Sequence, residues 1–156
     1  MLNHPARRLA GLFFVGMALV QPTAAQPAIP ATREDAVRVH VSFRTIDLLM
    51  QRCGNETGDA AAFEDGRLEW VARHDHTRHL ADMVLAHYAE PVSEAYLQKR
   101  AETDVAGMLE SIVTPAELCQ FFLAKIYDGS MDLSELVPDL HDRLVRSDEA
   151  ITGASQ

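Results

Sequence analysis

The sequence predicts an all-α fold, a small antiparallel bundle of four to five helices stapled by one disulfide and preceded by a signal peptide. Three observations carry this reading. Apolar residues recur at steps of three and four through most of the chain. Capping residues open these stretches, and glycine or proline closes them at short intervals. The chain also holds an even pair of cysteines, Cys53 and Cys119, behind an export-type N-terminus.

Arg7 and Arg8 give that N-terminus a positive start, and Leu9 to Val20 is apolar. Pro22 ends the run, and Thr23 and Ala25 supply the small residues a signal peptidase needs. A membrane span needs about 20 apolar residues, so the expectation is a signal peptide over 1–25 and a periplasmic or secreted protein. A proline-bearing linker, 26–31, follows. The helical domain is expected over 32–147 and a flexible tail over 148–156.

Thr32 caps the first helix, with Glu34 and Asp35 at the positive end of its dipole. Val37, Val39, Val41 and Phe43 alternate with polar residues, which is a strand signature. Ala36, Val39, Phe43, Ile46, Met50 and Cys53 instead form a helical stripe. A lone strand would leave its backbone groups unpaired, so a helix is expected from Thr32 to Cys53, stopped by Gly54. The second helix lies between Asp59 and Glu90, with Gly66 and the polar RHDHTRH segment as possible breaks, and ends before Pro91. The third starts near Ser93, with Leu97, Ala101, Val105, Met108 and Ile112 inward. Thr114, Pro115 and Glu117 form a capping box for the fourth, which ends at Gly129. Its inner stripe is read as Leu118, Phe122 and Ile126, with Cys119 and Phe121 beside it. One or two short helices follow, cornered at Pro138. A disulfide would join the end of the first helix to the start of the fourth.

The 23 acidic residues outnumber the 14 basic ones. Removal of 1–25 takes away two arginines and no acid, so the exported form is more acidic still. That balance repels nucleic acid and anionic lipid and suits a soluble protein or a basic protein partner.

Residues 73–87, RHDHTRHLADMVLAH, concentrate four of the seven histidines. On a helical wheel with Leu80 at zero, His76, Met83 and His87 fall within about 60° of it, and His74 lies near +120°. His79 and His87 stand about 12 Å apart along the axis, too far for one ion with bonds of about 2 Å. Two local metal pairings remain, Asp75–His79–Asp82 and Met83–His87, and the ions they would take are Cu, Zn or Ni. Each needs ligands from another helix. A solvated face, with Arg78 paired to Asp82, competes with the first pairing. Core packing competes with the second. Clustered histidines also respond to acid. Trp70 and Tyr88 share a wheel angle near +80° and could flank a ligand groove. No HExxH, CxxC, CxxCH or G-x-S-x-G motif occurs. The leading expectation is therefore an exported, non-enzymatic binding or accessory protein, of inhibitor, immunity or envelope-accessory type, that acts on another exported protein and needs no cofactor. The alternative is a periplasmic metal- or pH-responsive protein that uses the second helix.

Overall fold

The computed structural model describes residues 31–110 and 114–153. The expected signal peptide, all of the linker but Ala31, and Ile112 of the third stripe lie outside the described residues. Six helices order the described chain: α1 (Arg33–Thr57), α2 (Ala60–Ala86), α3 (Glu94–Leu109), α4 (Pro115–Tyr127), α5 (Leu133–Leu136) and α6 (Leu140–Gly153). This exceeds the expected four to five. The C-terminal part folds into a one-turn α5 and a full helix α6 that reaches into the segment read as a tail. None of these helices is long and apolar enough to cross a membrane.

Helix α1 begins at a capping box in which Thr32 and Asp35 bond reciprocally. It passes through Gly54, the expected stop, and ends at Gly58, whose φ of 74° is the left-handed conformation that closes a helix. Asp59 caps α2 at once, so α1 and α2 make a tight hairpin. Contacts between them run in opposite order: Asp47 with Arg67, Phe43 with Trp70, His40 with Asp82. The pair is therefore antiparallel. Helix α3, capped by Ser93, also runs against α1, with Arg44 bound to Glu94 and Glu34 to Arg100. Helix α6 holds the start of α1. Arg143 reaches Asp35 at 2.7 Å, and the backbone N–H of Ala31 donates to Ser147.

The alternating valines have a physical explanation here. At 100° per residue, Val37 and Val41 point about 120–160° away from Val39 and Phe43. All four are buried. Val37 and Val41 pack with Leu97 of α3, whereas Val39 and Phe43 belong to the main core between α1, α2, α4 and α6. A helix that is apolar on opposite sides is one buried between neighbours, and the period-2 pattern marks the central helix, not a strand.

The Cys53–Cys119 disulfide is present, with Cα atoms 5.2 Å apart, and it joins the last turns of α1 to the second turn of α4. Helix α2 is unbroken at Gly66. A Cβ there would come within 2.7 Å of Leu123 Cδ1, so the glycine marks the close approach of α4. Leu123 is thus a buried contact of α4, with Cys119 and Ile126. Leu118 and Phe122 are only half-buried, and Phe121 is 53 % exposed with Lys125 over its ring. The inward face of α4 therefore differs from the expected stripe. Crossing α2 at Gly66 turns it toward Leu123.

Candidate functional site

One turn and a half of α2 grips the corner between α4 and α5. Trp70, fully buried, donates its indole N–H to the Met131 carbonyl at 2.9 Å. Arg73 donates to the Ile126 carbonyl and to Asp132 at 3.0 Å. His74 uses both ring nitrogens. Its Nδ1–H donates to the Trp70 carbonyl at 2.7 Å, and its Nε2 accepts the Leu133 N–H at 3.2 Å. That arrangement fixes the neutral tautomer. Burial lowers the His74 pKa below the ordinary histidine value, against the Trp70 carbonyl bond and the Asp132 charge, which raise it. Asp132 Oδ1 stands 3.6 Å from Nε2. Thr77 and His141 share a hydrogen bond at 3.2 Å beside this clasp.

The gripped corner forms one wall of a cleft of about 300 Å³. Its floor is Ile46 of α1 and Trp70 of α2. Met131, Leu136 and Val137 make one side, and Met108 of α3 contributes to the other. Arg38, Ser42 and Thr45 of α1 also line it. Their spacing, i, i+4 and i+7, sets them in a row along one helix face. Burial deepens along the row: Arg38 is exposed, Ser42 half-buried and Thr45 only 4 % exposed. The Thr45 hydroxyl is buried without a hydrogen-bond partner. Such a group costs about 1–3 kcal/mol. Arg100 at the rim is held by Glu34 at 2.7 Å and by Tyr96 at 3.0 Å, and Asp104 lies beside it in the lining.

The histidine-rich stretch is arranged differently from its sequence reading. His74, the expected outlier, is the buried histidine at 6 % exposure, and His76, His79 and His87 are exposed. The buried residues of α2 are Phe63, Gly66, Trp70, His74, Thr77, Leu80, Ala81 and Val84. On the same wheel they centre near +70°, so Leu80 is an edge of the stripe and not its middle. Glycine, threonine and histidine at the true centre hid it from a count of apolar residues. Met83 is half-buried and His87 exposed, hence the Met83–His87 pair does not sit in the core as expected.

Asp75, His79 and Asp82 are all exposed. Asp82 turns across to His40 Nε2 at 3.1 Å rather than pairing with Arg78, whose guanidinium instead covers Phe43 at 5.3 Å. The His40–Asp82 contact is electrostatic, because the ring N–H is not directed at the carboxylate. Burial lowers the His40 pKa while Asp82 opposes the shift. No group of three or more His, Cys, Asp or Glu side chains among the described residues is placed to hold a metal ion.

Trp70 and Tyr88 flank no common groove. Eighteen positions apart, they stand roughly 25 Å from each other along the axis. Trp70 floors the cleft, and Tyr88 is exposed beside His40 and Asp82 in a different concavity. The sequence reading missed Arg38, Ser42 and Thr45. Their signal was present as a polar row in an otherwise apolar central helix.

Comparison of the chain with protein-family models, with curated proteins and with solved structures finds no match to any of them.

Proposed function

We propose that this is an exported, non-enzymatic helical binding protein that acts on another exported protein and recognises it through the α1–α3–α5 cleft. The observation that carries the reading is the unpartnered Thr45 hydroxyl in a cleft with an apolar floor. A few placed polar groups in an apolar concavity are the usual make-up of a recognition site. A buried hydroxyl without a partner is a stability defect that a bound group would relieve. The disulfide supports an extracytoplasmic setting, and the acidic composition suits a basic protein partner.

The test is capture of partners from the native extracytoplasmic fraction on immobilised protein, beside a variant with the cleft filled, Ser42→Trp. A specific protein retained by the wild type and lost by the variant supports the reading. Equal retention by both removes the cleft from it, and no specific retention removes the reading.

A second reading, a proton-responsive protein, is favoured by one observation. His74 can hold the α4–α5 corner through Leu133 only while its Nε2 is unprotonated. The metal-responsive form has no comparable support. Its test is the addition of Cu, Zn or Ni to the wild type and to His79→Ala and His87→Ala, with metal content and melting temperature followed.

A further inference from the structure

The row Arg38–Ser42–Thr45 identifies the kind of group the cleft accepts. Among the described residues, none of the three side chains has a hydrogen-bond or ion-pair partner. They follow one face of α1 from the open rim to the buried floor. The steps between them are about 6 Å and 4.5 Å along the axis, so the row spans roughly the length of three extended residues at about 3.4 Å each. A guanidinium at the rim matches a carboxylate, and two hydroxyls below it match amide groups, as donors or acceptors. Apart from Arg100 and Asp104, the rest of the lining is apolar and includes two methionines, Met108 and Met131, which adapt to side chains of differing shape. Asp104 is the opposing charge in the lining, and Arg100 beside it is already neutralised by Glu34. The carboxylate is therefore placed at Arg38.

From this we propose that the cleft receives the carboxyl-terminal end of an apolar peptide. Its terminal carboxylate lies on Arg38, its amide groups face Ser42 and Thr45, and its side chains rest on Met108, Leu136 and Val137, above the buried Trp70. The inference deepens the binding-protein reading and rests on it. A free short-chain carboxylate shares part of this chemistry, and the experiment separates the two sources.

Trp70 is the only tryptophan of the chain and floors the cleft, so its fluorescence reports occupancy without a label. The full disulfide-bonded protein is titrated with acetyl-Val-Leu-Leu, with the same peptide as its C-terminal amide, and with octanoate. Saturable binding of the free acid, at least tenfold tighter than the amide and octanoate, is the expected result. Arg38→Gln should cut acid binding about tenfold and leave amide binding unchanged. Thr45→Val should weaken acid and amide alike, with circular dichroism confirming the fold. Equal binding of acid and amide removes the carboxylate assignment, and octanoate binding as tight as the peptide removes the peptide. No saturable change with any probe, checked by calorimetry, overturns the inference. If partner capture still depends on the cleft, the broader reading survives that failure.

Discussion

Acidification should loosen the corner that His74 holds, and the size of the effect follows from the geometry. In the folded chain Nε2 accepts from the Leu133 N–H and Nδ1–H donates to the Trp70 carbonyl. A second ring proton would face an N–H, so burial and this bond hold His74 neutral and its pKa is lowered. Asp132 and Arg73 face the same ring with opposite charge effects, and His141 adjoins them through Thr77. Because the folded pKa lies below the unfolded value of about 6.5, the unfolded chain binds more protons between the two values. Stability is then full above about pH 7, falls as pH drops through 6.5, and levels once the folded pKa is passed. The limiting slope is about 1.4 kcal/mol per pH unit for one group. His40 shifts in the same direction through burial, so the pair gives at most about twice that.

Urea unfolding followed by Trp70 fluorescence and circular dichroism at several values from pH 8 to 5 measures it. His74→Gln keeps a polar side chain without a titrating ring and should remove about half of the slope. Asp35, whose pKa is lowered chiefly by its bond to Arg143, loses its contribution only as pH falls through the carboxylate range, below this window. A wild-type stability that is flat from pH 7 to 5, or a His74→Gln slope equal to that of the wild type, would refute the reasoning.

The remaining expectations are simpler. Thr45→Val keeps the shape of a buried side chain and removes an unpaired hydroxyl, so it should raise stability by about 1 kcal/mol and the melting temperature by a few degrees. Destabilisation by the same amount would mean that the hydroxyl has a partner. Removal of the disulfide by Cys53→Ala with Cys119→Ala frees a loop whose ends are 66 residues apart. The loss should be about 4 kcal/mol by the chain-entropy formula, seen as a lower urea midpoint. Gly58→Ala forces a side chain into a positive φ and should cost about 1–2 kcal/mol, a penalty absent from Gly107→Ala, where φ is ordinary and the space open.

By itself the sequence determined the helices, most of their ends and the covalent link. Those depend on local chemistry: Thr32, Ser93 and Thr114 cap because their oxygens meet backbone N–H groups three residues on. The Thr114–Pro115–Glu117 box is equally local, and two cysteines leave one pairing. Which side of each helix is buried was less legible. The apolar stripe of α1 was correct, yet its second valine face became meaningful only once α3 lay on it. On α2, the sequence grouped His76, Met83 and His87 with Leu80, and the structure centres the buried stripe among Trp70, His74 and Thr77. The physical reason is that His74 is buried by bonding to backbone atoms of a corner 59 residues away, and no spacing within α2 encodes that partner. Tertiary structure alone also decided that Asp82 faces His40, and that Arg38, Ser42 and Thr45 border an opening. An opening is made by what α3 and the α4–α5 corner leave uncovered, and that is a property of three elements packed together, not of any one of them.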